Sequence, residues 1–150
     1  MSALSRPLAA SIWLWIEIMP GYDYSDIRRL ATVARERIVE LTPEQARAEV
    51  ALGALLIDVR DDEELLRNPP LAGAIHRSRG QLEYTICEVL ADKATPIVLY
   101  CAGGNRGALA ADSLRSLGYS HAYNLKGGLR AWRLEAGQPW SYLDADASTA

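Results

Sequence analysis

Residues 96–107 read PIVLYCAGGNRG, and the next eleven, 108–118, read ALAADSLRSLG. Ile97 to Tyr100 is a short, apolar and partly β-branched run that stops abruptly at Cys101. Small residues follow at Ala102, Gly103 and Gly104, and the alanine-rich stretch from Arg106 to Leu117 has helix-forming composition, ending at Gly118. A buried strand that delivers a cysteine to a helix N-terminus places its sulfur where backbone N–H groups and the helix dipole favour negative charge. Thiolate is the reactive form of cysteine, so Cys101 is a candidate nucleophile. Consecutive small residues let the backbone curl and turn successive N–H groups toward one point. The loop Ala102-Gly103-Gly104-Asn105-Arg106 is therefore a candidate anion cradle, with Arg106 able to offer a fork of donors. The plain alternative is a structural cysteine at a strand end followed by an ordinary glycine turn.

Outward from this segment, strand and helix signals alternate. Arg37–Leu41 reads as a short edge strand. Thr42-Pro43-Glu44-Gln45 has the form of a capping box with proline at the first helical position, opening a helix that stops near Gly53. Ala54–Val59 (ALLIDV) is a continuous apolar run, as for a strand covered on both faces. One or two helical turns over Asp61–Arg67, a short strand at Ala74-Ile75 and a helix over Gln81–Ala91 follow. After the central strand and its helix come a strand near His121–Leu125 and a last helix from Gly128 to Ala136. Strands separated by helices imply βαβ units, hence an α/β fold with a central, mostly parallel sheet and helices on both faces. Ligands of such sheets bind beyond the carboxyl ends of the strands, where Asp58, Arg60 and Cys101 all fall.

Residues 1–37 read as an extension, with a helix that Ser25 caps and whose apolar positions Ile27, Leu30, Ala31 and Ala34 recur at helical spacing. Leu8–Ile16 faintly resembles a secretory signal, but it ends at Glu17 and falls far short of the ~20 residues of a membrane span. Exposed, Trp13 and Trp15 would call for a partner surface, so a packed arm, a homodimer contact through this extension or a disordered extension is expected. Residues 38–142 form the main domain and 143–150 a small polar tail. The formal net charge of −3 argues against a general nucleic-acid or anionic-membrane binder. The four arginine pairs (Arg28 and Arg29, Arg35 and Arg37, Arg77 and Arg79, Arg130 and Arg133) are interleaved with apolar or acidic residues and read as solvated faces. Two cysteines and two histidines make neither a disulfide framework nor a zinc spacing, so no metal or cofactor is expected and a reducing, cytoplasmic setting is. Cys87 follows Ile86 on its helix and reads as core. His76 and His121 have no neighbouring partner motif, and Trp132 and Trp140 read as packing residues.

Four stretches resemble the single-domain rhodanese (thiosulfate sulfurtransferase) family: LLIDVRDDEE (55–64), LAGAIHRSRGQLE (71–83), YCAGGNRG (100–107) and NLKGGLRAWRLEAGQPW (124–140). The resemblance covers residues 39–140. It implies a rhodanese-like three-layer sandwich with Cys101 as the nucleophile that takes up sulfane sulfur as a persulfide. It further implies that the amides of Ala102, Gly103, Gly104, Asn105 and Arg106 cradle that sulfur, while Asp58 and Arg60 buttress the site, Arg60 by pairing with Glu64. Pro70-Leu71-Ala72-Gly73-Ala74 departs from the family's usual His-Ile-Pro-Gly-Ala, and Gly107 stands where a serine often follows the loop arginine.

The implied activity moves sulfane sulfur from thiosulfate or another small donor to cyanide or a thiol. A persulfide carrier that hands its sulfur to a protein acceptor is the alternative. Phosphatase and arsenate reductase relatives of the fold have one more residue in the loop, whereas four residues separate Cys101 from Arg106 here.

Overall fold

The computed structural model describes residues 23–140. The readings that concern Trp13, Trp15, the Leu8–Ile16 segment and the polar tail lie outside the described residues. Eleven elements follow in the order α1 (Ser25–Arg35), β1 (Val39–Leu41), α2 (Pro43–Ala51), β2 (Leu55–Asp58), α3 (Asp62–Arg67), β3 (Ile75–His76), α4 (Leu82–Val89), β4 (Ile97–Tyr100), α5 (Asn105–Ser116), β5 (Ala122–Leu125) and α6 (Gly128–Glu135). The five strands form one sheet in the order β1-β5-β4-β2-β3, and every neighbouring pair is parallel.

The alternation of side chains along a strand builds two cores, one on each face of the sheet. Ile97, Leu99 and Cys101 join Ile57 and Val59 on one face, beneath Leu82 and Ile86 of α4 and Ala110, Ala111 and Leu114 of α5. Val98, Tyr100 and Leu56 face the other side, against Ala46 of α2 and Leu129 of α6. The arrangement is a three-layer sandwich, as the alternating pattern implies. At α2 the capping box is complete: Thr42 accepts the Gln45 N–H at 3.2 Å, and Gln45 accepts the Thr42 N–H at 3.0 Å.

Three local expectations are corrected. Ser25 is the first helical residue of α1 rather than its cap, and its N–H goes to the Asp23 carboxylate at 2.8 Å. On the same helix Ala31 and Ala34 are fully buried, but Leu30 is exposed. Cys87 is exposed. Leu82 and Ile86 lie four residues apart and share the inward face, so the next residue is rotated about 100° out of the core.

Helix α1 lies on the same side of the sandwich as α4 and α5. It packs on α5, and its far end is tied there by Arg37, whose Nε and Nη2 donate to the two carboxylate oxygens of Asp112 at 2.9 and 2.6 Å.

Candidate active site

Cys101 follows the last residue of β4, so the pleat points its side chain to the α5 face, directly under the start of α5. The side chain is fully buried. Its Sγ accepts two backbone N–H bonds, from Gly104 at 3.0 Å and from Gly107 at 3.3 Å. Gly104 has φ +116°, a conformation that side-chain-bearing residues rarely adopt, and this turns its N–H back toward the sulfur. The second donor lies one residue beyond the expected cradle.

Gly107 is glycine for a steric reason. A Cβ there would lie 2.2 Å from Asn124 Oδ1. Asn124 comes from β5, is fully buried, and donates through Nδ2 to the Gly104 carbonyl at 3.0 Å. The serine that often follows the loop arginine in the family would have no room for its Cβ here.

The loop's outer side is fixed by α6. Leu129 N–H donates to the Cys101 carbonyl at 2.8 Å and Arg130 N–H to the Ala102 carbonyl at 3.0 Å. Gly128, at φ +63°, lets the two chains approach: a Cβ would meet the Ala102 oxygen at 2.5 Å and the Cys101 oxygen at 2.6 Å. These two bonds seat the loop's outer side on the N-terminus of α6, satisfying two of that helix's first N–H groups.

Arg106 does not hold its fork open for a substrate. Its Nη1 and Nη2 donate to Glu64 Oε2 and Oε1 at 2.6 and 2.8 Å, joining α5 to α3. Burial disfavours the guanidinium charge, but the Glu64 hydrogen bonds and the negative fields of Cys101, Glu64 and Asp61 outweigh it, and the Arg106 pKa is raised. Glu64 answers in kind: burial pushes its carboxyl up, yet Arg106 and the Asp61 N–H hold it below the ordinary glutamate value.

Arg60 therefore pairs elsewhere than expected. Its partner is Asp58, two residues back: both side chains are fully buried and joined through Arg60 Nη2 at 2.8 Å and Nε at 3.1 Å. Arg60 Nη2 also donates to the Asn68 carbonyl at 2.8 Å, while the Arg60 carbonyl lies 2.6 Å from His76 Nε2. Asp58 is level with Tyr100 on β4. The Tyr100 hydroxyl accepts the Leu71 N–H at 2.9 Å, and burial together with the Asp58 charge raises its pKa. Asp58 and Arg60 thus brace the ends of β2 and β4 and the turn after α3.

A hollow of about 250 Å³ lies beside the loop, lined by Gly103, Gly127, Arg130, Ala131 and Leu134. None of these residues is acidic, and among the described residues the Arg130 guanidinium has no partner. A second hollow, of about 460 Å³, is lined by Asp61, Asp62, Glu63, Ser78 and Gln81 and is unsuited to an anion. Among the described residues no group of three or more His, Cys, Asp and Glu is placed to hold a metal, and no helix is long and apolar enough to cross a membrane. The sequence reading passed over Glu64 as the partner of Arg106, and it passed over Asn124 altogether. Nothing in a single sequence marks a strand asparagine 17 residues from the glycine it abuts.

The rhodanese-like domain family matches residues 42–135. Thiosulfate sulfurtransferase GlpE of Pseudomonas fluorescens is 36% identical over 93 residues, 62% of this chain and 83% of the relative. The uncharacterized protein YqhL of Bacillus subtilis is 39% identical over 101 residues, 67% of this chain and 77% of its own length. Among solved structures, the polysulfide-sulfur transferase homodimer of Wolinella succinogenes is 34% identical with a TM-score of 0.64, over 77% of this chain and 86% of that one. A Rhodopseudomonas palustris protein of unknown function, described as a possible tyrosine phosphatase, is 31% identical with a TM-score of 0.68, over 82% of this chain and 99% of that one. By sequence, sheet order and the cysteine loop at the sheet's carboxyl edge, this chain belongs to the rhodanese-like domain family.

Proposed function

We propose that the protein is a sulfurtransferase that carries sulfane sulfur on Cys101, taking it from thiosulfate or another anionic donor. The observation that carries this reading is the pair of N–H bonds from Gly104 and Gly107 converging on Sγ at the start of α5. In the first half-reaction the Cys101 thiolate attacks the outer sulfur of thiosulfate. A new S–S bond forms, the donor's S–S bond breaks, and sulfite leaves with the electron pair. In the second, cyanide or a thiolate attacks the terminal sulfur, thiocyanate or a new persulfide leaves, and the Cys101 thiolate is restored. Covalent catalysis of this kind gives ping-pong kinetics. The four-residue gap to Arg106 gives a loop that closes on a single sulfur, which disfavours the wider cradle of a phosphatase.

Because Arg106 is neutralised by Glu64, Arg130 is the cation available to the non-transferred end of an anionic donor. Thiocyanate production from thiosulfate and cyanide should fall to background in Cys101→Ser, and equal rates in the two proteins would refute the assignment. Arg130→Gln should raise KM for thiosulfate roughly tenfold, the size of one charge-assisted hydrogen bond, with little change for an uncharged trisulfide donor. A mass gain of one sulfur on Cys101 without turnover on cyanide would identify a carrier that serves a protein acceptor.

A further inference from the structure

We infer that Arg35, at the end of helix α1 and outside residues 42–135 that the rhodanese-like domain family matches, is a positioning residue for the sulfur-binding loop. Its guanidinium Nη2 donates to Asn105 Oδ1 at 2.9 Å, and Nε donates to Glu40 Oε2 at 3.2 Å. The same Glu40 oxygen accepts from Asn124 Nδ2 at 2.7 Å, and Asn124 Nδ2 also donates to the Gly104 carbonyl at 3.0 Å. Glu40 and Asn124 are direct partners across β1 and β5, so sheet register places this bridge. The network closes on itself: from Arg35 one arm reaches the side chain of Asn105, and the other reaches the carbonyl of Gly104 through Glu40 and Asn124.

The two arms hold the Gly104–Asn105 step, one at the Gly104 carbonyl and the other at the Asn105 side chain. The Gly104 carbonyl and the Asn105 N–H belong to the same plane, and its neighbour on the N-terminal side carries the Gly104 N–H that bonds Sγ. Gly104 sits at φ +116°, where no side chain holds the backbone, so the orientation of these planes depends on what grips them from outside. Arg35 Nη2 stands 3.5 Å from the point a Gly104 Cβ would occupy, against the turn itself. The side chains of Arg35 and Glu40 are 30% and 20% exposed, so their bonds are partly shielded from water. A planar fork is required to serve Asn105 and Glu40 together, which a lysine cannot do.

Arg37 provides an internal control. It ties the same end of α1 to α5 through Asp112 and makes no bond to the loop, so losing it weakens docking alone. The experiment compares the full-length protein with Arg35→Gln, Arg35→Lys, Arg37→Gln, Asn105→Ala and the Arg35→Gln/Asn105→Ala double variant. The readouts are amide exchange at Gly104 and Gly107 and steady-state turnover of thiosulfate. Arg35→Gln should speed exchange at both amides and lower kcat by about tenfold at nearly constant KM, the loss of one charge-assisted hydrogen bond at the loop. Arg35→Lys should recover part of this, Arg37→Gln should match the wild type in both readouts, and the double variant should be no worse than the worse single one. The inference fails if Arg35→Gln leaves loop exchange and kcat unchanged, or if Arg37→Gln reproduces its effects. It extends the sulfurtransferase reading, yet the exchange measurement is independent of that reading. A wild type without turnover would refute the activity and leave the clamp to be judged on exchange alone.

Discussion

At the scale of single residues, the site is made by what its glycines leave out. Gly107 gives its N–H to Sγ and leaves its Cβ position to Asn124 Oδ1, which in turn lets Asn124 hold the Gly104 carbonyl. Its φ is not in the left-handed region, so the constraint is one of space. Gly107→Ala should destabilise the fold by about 2 kcal/mol, the usual cost of overpacking a tight core site, and should slow the loading of Cys101. Urea denaturation measures the first effect. Gly80→Ala, where nothing lies within 4 Å of the added carbon, is the matched control and should be near neutral. The side chain of Arg106 makes a related point. Its type and position in the loop suggested substrate binding, but a guanidinium this buried takes the nearest carboxylate, and Glu64 occupies its fork.

Between elements, the ion pairs fix how helices stand around the sheet edge. Glu64 on α3 and Arg106 on α5 have side chains 14% and 18% exposed. Glu64→Gln should cost about 2 kcal/mol at neutral pH, as for a hydrogen-bonded charge largely shielded from water. The folded-state pKa of Glu64 is depressed from the ordinary 4.5, so its contribution is fully present above that value. The contribution is lost as pH falls from there through the lower folded-state pKa. Urea titrations of wild type and Glu64→Gln at stepped pH should converge below pH 4.5, and a constant gap down to strong acid would contradict the linkage. Element identities were legible from local pattern, the capping box of α2 and the glycine-stopped helices above all. Boundaries shifted by one or two residues: the last short strand before α4 is Ile75–His76 where Ala74-Ile75 was expected, and α5 opens at Asn105 where Arg106 was expected.

Across the whole molecule, the sequence by itself determined the parallel α/β sandwich, the placement of Cys101 at the sheet's carboxyl edge and the helix behind it. Those features follow from contiguous patterns: an apolar strand-length run, small residues at the turn, and helix starts and stops, each readable within a dozen residues. Tertiary structure alone decided who meets whom. It set Arg60 on Asp58 rather than Glu64, gave Glu64 to Arg106, turned Cys87 outward, and laid α1 across α5 so that Arg35 reaches Asn105, 70 residues away. The physical reason is that charged and amide side chains pair with whatever the packed helices bring within about 3 Å once water is excluded, and that choice depends on strand order and helix docking. Local pattern carries the cradle, and the folded chain supplies what holds it in shape.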